Sequence, residues 1–151
     1  MADLSVPGLG TRWRGSPAAS NAATPGAAQG GVRTLLRLEG LAVLAAAGFG
    51  YVQFGAGWGL FALLFLAPDL SMLGYLAGPR TGARLYNAAH SYLGALSLAA
   101  FGTLAAQPLA LAIGLIWCAH IGLDRALGYG LKYGEDFGAT HLGTLGRPDP
   151  W

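Results

Sequence analysis

No Asp, Glu, Lys or Arg occurs between Glu39 and Asp69, and none between Arg84 and Asp124. A charged side chain at mid-bilayer costs about 2.5–3.5 kcal/mol on insertion scales, so stretches of this length without one are where a chain can cross lipid. Each stretch is broken near its middle by turn-forming residues. In the first these are Gly55-Ala56-Gly57, and in the second Gln107-Pro108, where the proline ring disrupts a preceding helix but suits the first turn of the next. Each stretch therefore reads as a helical hairpin, and the four spans fall at about 38–55, 57–77, 87–106 and 108–127. A helix needs about 20 residues, at 1.5 Å each, to cross a hydrocarbon core of about 30 Å. Strands are excluded as the spanning element, because a barrel needs many alternating segments and a closed edge.

Composition supports a lipid-facing surface. Hydrophobic residues make up 54% of the 151 and charged residues 11%, against roughly 25% charged in an average soluble domain. The mean hydropathy is +0.47. The expected fold is all-α: an integral membrane four-helix bundle of two hairpins, with the lipid bilayer as its partner. A net charge of +2, carried by dispersed basic residues, excludes a nucleic-acid partner. The single cysteine, Cys118, allows no intramolecular disulfide and reads as a small buried apolar side chain.

Residues 15–31, GSPAASNAATPGAAQGG, have no charge, no large apolar side chain and two prolines. Residues 1–34 are therefore expected to be a disordered tail, and since no apolar segment follows Arg12 and Arg14 they do not read as a secretory signal. The expected membrane domain is 35–143, with an interfacial segment at 128–143 and a C-terminal tail at 144–151. Arg12, Arg14, Arg33 and Arg37 precede the first span, Arg80 and Arg84 lie between the second and third, and Arg125, Lys132 and Arg147 sit at or after the end of the fourth. The positive-inside rule then places both termini and the middle loop in the cytoplasm.

Ionisable residues at membrane depth point to function by default. Glu39 begins the first span, Asp69 follows Pro68 in the cytoplasmic half of the second, His90 opens the third beside Asn87, and His120 and Asp124 close the fourth. All five lie toward the cytoplasmic side. His120 and Asp124 are four apart and share a helix face, so the carboxylate can ligate a metal beside the imidazole or orient it. His141, in the segment after the fourth span, would join them if that segment ran back under the bundle. The candidate ligands are thus Asp69, His90, His120, Asp124 and His141, with Glu39 and Asn87 in support. Mixed imidazole and carboxylate ligands suit zinc, manganese or iron.

Plain structural roles compete for each. Asp69 can pair with Arg80, Arg84 or Arg125; His120 and Asp124 can fix helix packing; Glu39 can serve the helix dipole. Tyr129, Tyr133 and Phe137, at four-residue spacing, would form one stripe if the segment were helical, a membrane-surface anchor. Gly55, Gly57 and Gly59 imitate part of a nucleotide loop but follow no strand and read as turn residues. Small residues such as Ala46, Gly50, Ala95, Ala99 and Gly102 allow close helix contact.

Three functions remain open. One is a metal-dependent hydrolase acting on a lipid-like ester or phosphoester from the inner leaflet. Another is a non-catalytic structural or assembly component with a buried polar network. The third is a small haem protein with His90 and His120 as axial ligands. Four short helices enclose little volume, so a transport path would need a homo-oligomer.

The strings LLRLEGLAVL at 35–44, FLAPDLSMLGYLAGPR at 65–80, YNAAHSYLG at 86–94, IWCAHIGLDRALGYGLKY at 116–133 and THLG at 140–143 resemble the uncharacterised bacterial membrane family catalogued as domain of unknown function 4260. The resemblance implies a four-helix integral protein of the bacterial cytoplasmic (inner) membrane and carries no activity with it. Pro68-Asp69 and the His120-x-x-x-Asp124 pair are also similar to membrane-bound metal-dependent hydrolases, although Leu70-Ser71 stand where that pattern has another acidic residue.

Overall fold

A computed structural model describes residues 26–134 and 137–145. The tail expected up to residue 25, with Arg12 and Arg14, and the end from 146, with Arg147, lie outside the described residues. The chain is mainly helical: α1 Gly30–Phe54, α2 Trp58–Phe65, a 3-10 helix Ala67–Ala77, α3 Pro79–Ala89, α4 Tyr92–Leu104 and α5 Pro108–Leu127. A short antiparallel hairpin, β1 Ala139–Thr140 and β2 Gly143–Thr144, follows. Three helical stretches are long and apolar enough to cross a membrane: Gly30–Phe54, Trp58–Ala77 and Pro108–Leu127.

Several boundaries depart from expectation. Helix α1 starts at Gly30, so residues 30–34, assigned above to the tail, are helical. Its added turns are held by Arg37, whose Nε donates to the Ala126 carbonyl at the end of α5 at 2.9 Å. The second span changes helix type. Pro68 has no N–H to give, and from Ala67 the chain tightens to 3-10 winding, with the Asp69 N–H donating to Leu66 O at 3.1 Å. At three residues per turn, Leu70, Leu73 and Leu76 fall in one row, and they are 66%, 63% and 88% exposed.

The third span, expected as one helix over 87–106, is divided. Helix α3 ends where the His90 N–H reaches Tyr86 O at 2.8 Å, and Ser91 is extended before α4 begins. The His90 carbonyl, which would otherwise accept from a next turn, accepts instead from Arg125 at 2.8 Å. With 13 residues, α4 is about 20 Å long, short of a full crossing.

Helix α5 is the centre of the packing, flanked by α1 and α4 and touched by α2. Ala112, Gly114, Ile116, Ala119, Ile121 and Gly122 are buried along it. Close approach depends on glycine. A Cβ at Gly122 would lie 2.7 Å from Leu44 N and 2.8 Å from Gly40 O of α1, and one at Gly114 would lie 2.6 Å from Ala99 N of α4. Helix α5 ends in a Schellman motif: Gly128 has φ 99°, its N–H reaches Arg125 O at 3.0 Å, and the Tyr129 N–H reaches Asp124 O at 2.7 Å.

After α5 the segment folds back as a small β-return and not as a helix, so Tyr129, Tyr133 and Phe137 form no helical stripe. Gly128, Gly130, Gly134, Gly138 and Gly143 explain this, since each costs a helix about 1 kcal/mol relative to alanine. Lys132 bridges to Thr140, Leu142 is fully buried, and the Ala28 N–H donates to His141 O at 2.8 Å, which ties the start of the described chain to this return.

Candidate metal centre

Four of the predicted residues meet. One ligand atom from each of Asp69, His90, His120 and Asp124 lies within 4.8 Å of the other three. The 3-10 helix brings Asp69, the break between α3 and α4 brings His90, and one face of α5 brings His120 and Asp124. The two Nε2 atoms are 3.2 Å apart. His90 Nε2 is 3.4 Å from Asp69 Oδ1 and 3.5 Å from Asp124 Oδ2. His120 Nε2 is 3.6 Å and 3.9 Å from the same two oxygens. The side chains of His90, His120 and Asp124 are 0%, 3% and 14% exposed and that of Asp69 is 39%, so the centre is closed on three sides and opens at Asp69.

Neighbouring groups set the orientation of each ligand. His90 Nδ1 is 3.0 Å from the Tyr86 carbonyl, which can only accept, so Nδ1 carries the proton and the neutral ring turns an Nε2 lone pair to the centre. The Tyr86 ring stacks on His90 at 3.8 Å, and its hydroxyl donates to Asp124 Oδ2 at 3.2 Å. Phe65 meets His120 edge-on at 5.5 Å, and His120 Nδ1 is buried with no hydrogen-bond partner.

Arg125 does not serve as the partner of Asp69. Its guanidinium donates to the carbonyls of His90 and Tyr129, bracing the helix break that aims His90. Asn87 exchanges two hydrogen bonds with the Lys132 backbone, at 2.8 Å and 2.7 Å, and so fastens the β-return to α3. The Lys132 ammonium lies 4.7 Å from the Tyr86 ring centroid. Tyr86, Arg125 and Lys132 were not singled out from the sequence for the site. Tyr86 alone had a usable signal, lying four residues before His90 at a helix end.

Glu39 and His141 are not drawn into the group. They line a separate cavity of about 340 Å³ with Tyr92 and Arg125. His141 Nδ1 accepts the Leu131 N–H at 2.8 Å, a bond that requires the ring nitrogen to be unprotonated. Burial first, and the Arg125 charge second, lower the His141 pKa below its ordinary 6.5. Its contribution to stability is therefore present above about pH 6.5 and is lost as pH falls below that toward the folded value. Wild type is expected to lose more melting temperature than His141→Gln between pH 7.5 and pH 5; equal losses would remove His141 from the account.

No curated protein and no solved structure matches the chain. None of the comparisons shows the likeness to metal-dependent hydrolases read above from Pro68-Asp69 and His120-x-x-x-Asp124. A family model described as Domain of unknown function (DUF4260) matches residues 33–145, which takes in all four converging residues and the β-return, and the chain belongs to that family.

Proposed function

We propose that Asp69, His90, His120 and Asp124 bind a divalent metal ion and that the protein is a membrane-embedded metal-dependent hydrolase. The observation that carries this reading is the spacing of the four ligand atoms. Five of the six separations are 3.2–3.9 Å and the sixth, Asp69 to Asp124, is within 4.8 Å; they are mostly too long for hydrogen bonds of charged groups, which run about 2.7–2.9 Å. The five lie near the edge of a coordination tetrahedron, about 3.3–3.4 Å for metal–ligand bonds of 2.0–2.1 Å. The protons agree. His90 presents a lone pair, both carboxylates present lone pairs, and His120 has one proton at most to offer them in its neutral form. A divalent cation satisfies all four and balances the two carboxylate charges.

In a purely structural network a neutral His120 would donate its Nε2 proton to His90 Nε2 across 3.2 Å, which leaves ionised Asp69 and Asp124 facing the ring nitrogens at 3.4–3.9 Å with no proton between them. A haem between the two histidines is a poorer fit still. Axial nitrogens stand about 4 Å apart on opposite sides of the iron, and here both carboxylates occupy the plane a porphyrin would need.

Zinc, manganese and iron all accept this donor set. The four residues would fill a tetrahedron, so water would enter as a fifth ligand on the exposed side at Asp69, where a divalent ion would lower its pKa toward neutrality and so supply a nucleophile for an ester or phosphoester. The basic residues at the start of α1, in α3 and at the end of α5, with none in the turns at 55–57 and 105–107, support a bundle in the bacterial inner membrane with its termini and this centre on the cytoplasmic side. In that arrangement α3 and α4 together make the fourth member.

The test is elemental analysis and an absorption spectrum on detergent-purified wild type. One colourless ion per chain supports the reading, a Soret band indicates haem, and a metal-free colourless protein returns the cluster to a structural role. Tyr86→Phe, which keeps the ring stack but removes the donor to Asp124, is expected to weaken metal binding by about 10–100-fold with the melting of the metal-free protein nearly unchanged. Unaltered affinity in a competition titration would show that Asp124 needs no such support.

A further inference from the structure

We propose that the cavity walled in part by Pro68 and Ala89, the residues that precede Asp69 and His90, is the seat of a single acyl chain, which makes the substrate class a lipid ester hydrolysed at its acyl carbonyl. This rests on the metal-hydrolase reading and adds to it the side of the bond on which the lipid lies. The cavity, of about 280 Å³, is bounded by Pro68 and Ser71 of the 3-10 helix, Ala89 at the end of α3, and Ile113, Ile116 and Trp117 of α5. Its position is tied to the centre through the chain. Pro68 precedes Asp69, Ala89 precedes His90, and Ile116 lies one helical turn before His120.

The chemistry of the wall selects the occupant. The Trp117 indole N–H is already donated to Ala89 O at 2.6 Å, which leaves the Ser71 hydroxyl, buried and unpartnered, as the one further polar side-chain group. A charged or strongly polar headgroup would lose its hydration there without replacement, whereas an alkyl chain loses nothing. The volume falls at the lower edge of the range for small-ligand pockets, about 300–1,000 Å³, so it suits one chain and neither a headgroup nor a two-chain lipid. The chain reaches it from the bilayer past the 3-10 helix, whose outer row Leu70, Leu73 and Leu76 is exposed.

With the head of the chain seated at Pro68, the acyl carbonyl would lie next to Asp69, the residue that follows it. Water adds its oxygen to the acyl carbon, the bond from that carbon to the ester oxygen breaks, and the proton from water passes to the departing alkoxide, giving a fatty acid and an alcohol.

Hydroxamic acids chelate metals and can carry chains of chosen length, so acetohydroxamate and octanohydroxamate titrated into the zinc-loaded full-length protein in detergent test this directly. Each methylene that becomes buried is expected to tighten binding by up to about fourfold. Partition into detergent adds to the apparent gain equally in every variant, so the comparison with Ile113→Trp and Ser71→Leu isolates the cavity. Both variants are expected to keep the zinc content and the acetohydroxamate affinity of wild type while losing most of the octanohydroxamate advantage. The same chain-length advantage in wild type and both variants would overturn the subsite and leave the metal centre standing. Failure of wild type to hold zinc or to bind acetohydroxamate would overturn the metal reading, and the subsite with it.

Discussion

Replacing His120 by alanine is expected to reduce the bound ion from one per chain to none after dialysis against a weak chelator. His120 Nε2 lies 3.2–3.9 Å from one atom of each of the other three residues, and nothing else among the described residues is placed to substitute for it. His90→Ala should behave alike. Melting temperature gives a second readout: an ion that binds only the folded state stabilises it by about 4 kcal/mol at a thousandfold excess over its dissociation constant. A strong chelator should therefore lower the melting temperature of wild type and leave that of His120→Ala where it was. Asp69→Asn is the most informative companion, because the Asp69 side chain is 39% exposed and its replacement disturbs packing least. If all three variants keep the ion, the four residues are a packing device. If they lose stability while wild type is indifferent to chelator, the same conclusion follows.

Gly122→Val is expected to cost stability at the upper end of the roughly 1–3 kcal/mol typical of overpacked cores, and to lower metal content as well. The atoms that an added Cβ would meet are Leu44 N at 2.7 Å and Gly40 O at 2.8 Å, both backbone, which cannot rotate aside as a side chain would. Gly40 faces the same crossing, where its own Cβ would collide with the Arg125 Cβ. Helices α1 and α5 would have to separate, and since Gly122 lies midway between His120 and Asp124, both ligands would shift. Gly48→Ala provides the contrast. Nothing lies within 4 Å of a Cβ at Gly48, so this change should be neutral or mildly stabilising through helix propensity. Equal melting curves for Gly122→Val and Gly48→Ala would show that the α1–α5 crossing tolerates a wider spacing.

The converging residues were legible in the sequence for an energetic reason. Polar groups at membrane depth are costly, so few are present, and Asp69, His90, His120 and Asp124 stand out against apolar neighbours. Soluble proteins, with many carboxylates and histidines on their surfaces, offer no such contrast. The turns at Gly55-Ala56-Gly57 and Gln107-Pro108 were legible because glycine and proline act locally. Long-range support was not. Arg125 aims His90 through its carbonyl from 35 residues away, and no spacing rule connects the two. His141 looked like a ligand by type, but its ring faces the Leu131 N–H, a consequence of a β-return that forms only once Leu142 is buried against the rest. The 3-10 segment did leave a trace. Leu70, Leu73 and Leu76 repeat every three residues, a period that suits a 3-10 helix better than the 3.6 of an α-helix.

That tighter winding also sets how far the second crossing reaches. A 3-10 helix rises about 2.0 Å per residue against 1.5 Å in an α-helix, so the stretch Trp58–Ala77 extends about 35 Å where a uniform α-helix of 20 residues would extend about 30 Å. Rewinding Ala67–Ala77 as α-helix would shorten it by about 5 Å and turn Asp69 relative to the histidines it faces. The reach of the second stretch and the placing of Asp69 against the two histidines are thereby set by the same eleven residues.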